Sequence, residues 1–220
     1  MRFTEKFLEK EYQKFANPSS EKERDILRAA EKVFGEKGFD LTTTKELAQK
    51  AGVTERTLFR YFASKNELYL RILSGIVYDF AFQTQMIQLK TMLEAREAKF
   101  SDWFLYIFHD RVKVAKENPH KIRILVSALL QNKEFGTFFG KVWKEKLYLP
   151  AIMAVEHFQK IGEIRNDIDV PNYVRTSFGI HLSYLIFRFV LAPHSMLDDE
   201  LEAKKILNIV TSGILCKDTN

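Results

Sequence analysis

Thr42-Thr43-Thr44-Lys45-Glu46-Leu47-Ala48-Gln49-Lys50-Ala51-Gly52-Val53-Thr54-Glu55-Arg56-Thr57-Leu58-Phe59-Arg60-Tyr61-Phe62 reads as two short helices joined by a glycine turn. Thr43 accepts the free backbone N–H groups at the first helix start, and Glu46, three residues on, bonds back to the cap. Leu47, Ala48 and Ala51 give that helix one apolar face. Gly52 takes the left-handed conformation that ends it at no steric cost. Thr54 then caps a second helix, predicted to carry Leu58, Phe59 and Phe62 inward and to expose Glu55, Arg56, Thr57 and Arg60. Helix, glycine turn and helix is the pattern of a DNA reader, and of many helical hairpins besides.

Outward from this hairpin, two more capping boxes mark helix starts. Ser20 with Glu23 opens a helix striped by Ile26, Leu27, Ala30, Val33 and Phe34 and ended at Gly38. Ser64 with Glu67 opens a longer one through Leu68, Ile72, Leu73, Ile76, Val77 and Phe80. The predicted core of the three-helix unit is Phe34, Phe39, Leu47, Leu58, Phe59 and Phe62. Lys65 sits just inside the third cap, where the helix dipole disfavours a cation, so the placement suggests an anionic partner or a side chain turned to water. Before Ser20, Phe3, Phe7, Leu8, Tyr12 and Phe15 recur at helical spacing until Asn17-Pro18. Lys6, Lys10 and Lys14 line that extension among Glu5, Glu9 and Glu11, which reads as a solvated face or a stripe along a phosphate backbone.

Charge supports the same focus. The whole chain carries only +5, too little to indicate nucleic acid by itself. Residues 21–41 hold five basic and six acidic side chains, whereas 43–65 hold five basic (Lys45, Lys50, Arg56, Arg60, Lys65) against Glu46 and Glu55. The positive excess therefore falls on the hairpin. Nine Gly and five Pro in 220 residues, without alternating strand-like runs, predict an all-α chain. The single cysteine, Cys216, rules out an internal disulfide framework and suits a reducing compartment. The N-terminus is too charged for a signal peptide. The most apolar stretch, Ile180 to Ala192, is broken by His181 and Arg188 and is shorter than the ~20 residues of a membrane span. The expectation is a cytoplasmic protein without a membrane partner.

Gly38-Phe39 with Thr42-Thr43, Leu47-Ala48, Ala51-Gly52-Val53-Thr54, Thr57-Leu58-Phe59-Arg60-Tyr61-Phe62 and Ser64-Lys65 together resemble the TetR family of bacterial transcriptional regulators, over residues 21–75 or so. The resemblance implies a homodimer with an N-terminal DNA-binding domain and a larger, divergent ligand-binding and dimerisation domain. Carried onto this chain, it assigns residues 1–18 to an N-terminal extension, 19–66 to the DNA-binding domain with its helix-turn-helix at 43–62, and 67–220 to ligand binding and dimerisation. Thr43, Thr44, Tyr61 and Lys65 would contact phosphates. Lys45, Thr54, Glu55, Arg56, Thr57 and Arg60 would face the groove. Two reading helices of a dimer would lie ~34–36 Å apart or slightly more on a palindromic operator. The chain departs from the family pattern at Arg56, where a small residue is usual, at Phe59, where tyrosine is usual, and in its longer N-terminus.

Beyond Thr84 the pattern predicts helices near 67–90, 101–117, 119–131, 134–161, 172–191 and 199–215. The last two carry wide apolar stripes of Val174, Phe178, Leu182, Leu185 and Phe189, then Leu201, Ile206 and Val210. Such stripes fit a dimer interface, as in the family, or burial within one subunit. Trp103, Phe104, Phe108, Phe139, Trp143 and Phe178, with His181, fit either packed core or the wall of an effector pocket for an apolar or aromatic ligand. No nucleophile elbow, phosphate loop or metal-ligand spacing appears, so no enzyme chemistry, metal or cofactor is expected. The leading reading is a DNA-binding repressor released by a small molecule. The alternative is a small-molecule-binding protein or enzyme whose helix-turn-helix is vestigial.

Overall fold

The computed structural model describes residues 3–81 and 99–212. Its helices are α1 (Glu5–Ala16), α2 (Glu21–Lys37), α3 (Thr44–Lys50), α4 (Glu55–Tyr61), α5 (Lys65–Ala81), α6 (Phe100–Glu117), α7 (His120–Gln131), α8 (Lys133–Trp143), α9 (Leu149–Lys160), α10 (Val170–Ile186) and α11 (Asp199–Thr211). The described residues contain no β-strand, and the fold is all-α. Two compact units result, one from Met1–Phe80 with Asn118–Gly140 and one from Ala81–Glu117 with Lys141–Asn220. The parts of the predicted helices that fall on residues 82–98 and 213–220 lie outside the described residues, as does Cys216.

The helix starts follow the side-chain caps. Ser20, Thr43, Thr54 and Ser64 accept from the N–H of Glu23, Glu46, Thr57 and Glu67 at 3.1–3.2 Å. The return half of each box differs from expectation. Glu23 accepts from Ser19 N at 2.7 Å and Glu67 from Ala63 N at 2.9 Å, one residue before the cap. Glu46 turns instead to Lys37 on α2. Gly38 and Gly52 end α2 and α3 with φ of +80° and +65°, which a residue with a Cβ rarely adopts.

In the first unit, Ile26, Leu27, Val33 and Phe34 of α2 are buried, as are Leu47, Leu58, Phe62 and Leu68. Phe59 is a correction to the predicted core: it is 44% exposed. Leu58 and Phe62, four residues apart, form the inner stripe of the two-turn α4, and Phe59 lies about 100° round the helix from Leu58. The N-terminal extension is part of this unit. Leu8 is buried, Tyr12 stacks on Tyr78 with ring centroids 3.5 Å apart, and Phe15 lies where a Cβ on Gly75 would stand, at 2.5 Å. Arg71, 5% exposed, gathers three carboxylates: Nε donates to Glu11 (3.3 Å), Nη1 to Glu23 (2.6 Å) and Nη2 to Glu67 (2.9 Å). Glu11 therefore does not belong to the solvated face read from the sequence. Also against α2, α7 packs so closely that His120 occupies the place a Cβ on Gly35 would take.

A second polar cluster is less well matched. Glu31 of α2 accepts from Asn118 Nδ2 at 2.7 Å, while its Oε1 is buried without a hydrogen bond among the described residues. Lys121 pairs with Asp79 at 2.5 Å nearby. Burial raises the Glu31 pKa above 4.5; Lys121 opposes the shift and Asp79 adds to it. A carboxyl whose folded pKa is raised holds its proton longer in the folded state. It therefore costs stability as pH climbs from 4.5 through that raised value. Glu31→Gln is expected to melt above the parent protein at pH ~8, with the gap closing as pH falls toward 4.5, measured by calorimetric scans across that range.

In the second unit, Phe100, Phe104 and Phe108 of α6 meet Phe158 of α9 and Tyr173, His181 and Tyr184 of α10 at centroid distances of 4.8–6.0 Å. Asp199, at the start of α11, accepts from the Tyr184 hydroxyl at 2.5 Å and pairs with Lys116 at 2.6 Å, tying α6, α10 and α11 together. A π-helical turn at 144–148 links α8 to α9. Pro150 is the physical reason, since it donates no N–H and its ring crowds the carbonyl four residues back.

Candidate nucleic-acid interface

The exposed side of the hairpin is built by α3 and α4 together. Thr43, Lys45, Thr54, Glu55, Arg56 and Arg60 are exposed, and Thr44, Thr57, Tyr61 and Lys65 are half-buried. Short bonds organise their polar atoms. The Thr44 hydroxyl donates to Glu55 at 2.6 Å, bridging the start of α3 to the first turn of α4. Thr54 and Thr57 share a bond at 3.0 Å. Arg56, in the first turn of α4, has no ion pair among the described residues. Arg60 follows one turn later, its guanidinium carbon 5.3 Å from the Tyr61 ring centre.

Tyr61 is not a core aromatic. Its hydroxyl accepts from Ser20 at 3.1 Å, and this bond, followed by one from Arg60, draws the phenol pKa below 10.0. The end of α4 is thus fixed to the start of α2. Lys65 has protein partners that the sequence did not reveal: Nζ donates to the carbonyls of Phe39 and Thr42, both at 2.8 Å, and lies 4.3 Å from the Phe39 ring centre. These carbonyls account for a cation at a helix start without an anion, and the third ammonium hydrogen is still available to one. Lys65 therefore latches the loop between α2 and α3, on which the position of Thr43 depends.

Residues 26–72, which include the hairpin, match the family model described as bacterial regulatory proteins, tetR family. The repressor KstR2 of Rhodococcus jostii is 26% identical over 203 residues, covering 86% of this chain and 89% of that protein. The solved structure of the ketosteroid transcriptional regulator KstR2 of Mycobacterium tuberculosis superposes with a TM-score of 0.72 at 18% identity, covering 91% of this chain and 98% of that one. Over residues 26–72 the chain matches the TetR family, and as a whole it shares the fold of solved TetR-type regulators. The activator FasR of Mycolicibacterium smegmatis shares 32% identity over 96 residues, 42% of this chain but only 43% of FasR. That local match spans less than half of the relative.

Trp103, Phe104 and Phe108 of α6, Trp143 at the end of α8, and Phe178 and His181 of α10 all fall in the second unit. Trp143 packs on Phe178 at 5.2 Å, and His181 lies 4.8 and 5.6 Å from Phe104 and Phe108. Phe139 belongs to the first unit instead, against Phe135 at 6.0 Å. Of the interface stripe, Val174, Leu185, Phe189 and Val210 are buried within the single chain. Phe178 and Leu201 are exposed, and Leu182 and Ile206 are half-buried. Phe187, Leu191 and Ile209, outside the predicted set, add further exposed apolar surface at 48%, 71% and 74%. Among the described residues no helix is long and apolar enough to cross a membrane.

Proposed function

We propose that this chain is a TetR-family regulator, a homodimeric repressor that binds a palindromic operator and leaves it when a small apolar effector occupies the second unit. The observation that carries the reading is the α4 surface: Arg56 and Arg60 stand one turn apart and exposed, with Lys45 exposed on α3. Two guanidiniums at helical spacing suit base edges, while Thr43, Thr44, Tyr61 and Lys65 offer hydroxyl and ammonium groups to phosphates. Thr54, Glu55 and Thr57 complete the groove-facing set.

Repression rather than activation is favoured by the extent of the matches, since the relative named a repressor aligns over 89% of its length and the one named an activator over 43%. A ketosteroid regulator of the same fold supports an apolar effector. The exposed Phe178, Phe187, Leu201 and Ile209 of α10, the turn after it and α11 would be covered by a second copy. The division at residues 66 and 67 is one of role. An effector acts here only through its preference for the conformer that fits the operator poorly.

Selection of duplexes from a random pool, followed by mobility shift on the enriched site and on scrambled DNA, tests the proposal. A palindromic site bound at least ~1000-fold more tightly than scrambled DNA is expected. Equal binding to both would overturn it.

A further inference from the structure

His181 carries information about the chemistry of that effector. One turn along α10, its Nδ1 lies 2.7 Å from the Ser177 carbonyl oxygen. A carbonyl only accepts, so Nδ1 bears the hydrogen. Burial, with the nearby Arg111 charge adding to it, lowers the ring pKa from 6.5, although the Ser177 bond pulls the other way. A neutral imidazole protonated at Nδ1 presents a lone pair at Nε2. Part of the residue reaches the surface, but Nε2 itself is closed to solvent and has no hydrogen-bond partner among the described residues. Phe104 and Phe108 flank the ring at 4.8 and 5.6 Å and offer it no polar group. A buried acceptor left in this state is destabilising, and most such atoms in folded proteins are matched.

Phe178 lies three residues before His181, on the same face of α10, and Trp143 packs against it at 5.2 Å. The Trp143 indole N–H is likewise buried without a partner among the described residues. The aromatic side of α10 thus carries an unmet acceptor at His181, and the tryptophan packed on its Phe178 carries an unmet donor.

We infer that His181 Nε2 is the polar anchor of the effector site, and that the effector is an uncharged apolar alcohol or phenol whose O–H donates to it. This rests on reading the second unit as the effector domain. A carboxylate has only lone pairs to offer, so it meets repulsion at Nε2 and gains nothing from the aromatic walls. An ether or ester of the same shape fits the walls but leaves the acceptor unmet.

Calorimetric titration of the full chain at pH ~7.5 with 2-naphthol and 1-decanol, with their methyl ethers, and with 2-naphthoate and decanoate provides the test. At least one alcohol is expected to bind about 10-fold or more tightly than its ether and its carboxylate. His181→Phe keeps a ring of similar size and removes the lone pair, and it should bring that alcohol and its ether within about 2-fold of each other. Equal binding of alcohol and ether, preference for the carboxylate, or no binding of either alcohol overturns the inference. These comparisons use the unaltered protein, so they decide even if His181→Phe does not fold. An alcohol preference that persists in a folded His181→Phe also overturns it. Operator binding without any of these compounds separates the two readings: a chain that binds its site yet shows no alcohol preference is a regulator with a different effector.

Discussion

Arg71→Met is expected to destabilise the protein by about 3–5 kcal/mol, one of the largest effects available to a single substitution in the first unit. The guanidinium is 5% exposed and supplies one hydrogen bond to each of Glu11, Glu23 and Glu67, from α1, α2 and α5. The other oxygens are matched too: Glu11 accepts from Lys14, Glu23 from Ser19 and Glu67 from Ala63 N. Methionine keeps the apolar stem, which packs by the Phe62 ring, 4.7 Å from the guanidinium carbon. It leaves two carboxylates, each 7% exposed at the side chain, without their buried cation. Breaking a buried ion pair from one side costs far more than the pair contributes relative to an apolar replacement. The check is therefore a rescue: Glu11→Gln and Glu23→Gln in the Arg71→Met background should return at least about half of the loss, a coupling visible in denaturant titrations. An undiminished loss in the triple variant would mean that Arg71 acts through packing alone.

The helix starts and turns of this chain were legible because they are written in local side chains: serine and threonine caps, and glycines at positive φ. Their partners were less so. Glu46 was expected to bond back to Thr43 and instead pairs with Lys37, because that pairing depends on how α2 and α3 pack. Phe59 was placed inward by counting apolar residues on a helix so short that two of them, Leu58 and Phe62, already fill its inner stripe. Arg71 carries a signal of its own in the sequence: a single charge within Leu68-Tyr69-Leu70-Arg71-Ile72-Leu73 requires a buried counter-charge. Glu67, four residues back, is linked to it by helical spacing, but the two buried counter-charges come from residues 48 and 60 positions away, which no spacing rule links to it. The grouping of α7 with the N-terminal helices was equally invisible, since the fit of His120 onto Gly35 is set by three-dimensional packing. The exposed polar face of α3 and α4 is the most legible part of the local structure. An exposed face needs only to be polar and correctly phased, and the caps at Thr43 and Thr54 set the phase.

That surface yields the second large expectation. Arg56→Ala should weaken binding to the selected operator by about 1–3 kcal/mol, roughly 5- to 150-fold, and Arg60→Ala by no more than that. Arg56 is given the larger effect because the Thr44 hydroxyl holds the adjacent Glu55 carboxylate, leaving the guanidinium without an ion pair among the described residues, whereas Arg60 is engaged with Tyr61. Both arginines are exposed, so their removal should shift stability by less than ~0.5 kcal/mol and the loss can be read as binding alone. Mobility shifts over a range of salt concentrations, on the operator and on variants changed one base pair at a time, then divide the roles. If Arg56 reads a base edge, Arg56→Ala flattens the preference at one base pair and leaves the salt slope nearly intact. If it grips a phosphate, the loss is uniform across duplexes and the slope falls by about one. Full operator affinity in the double variant would leave the hairpin no reading role and favour a helix-turn-helix retained as scaffold, because no other exposed basic pair on α4 is available to replace these two.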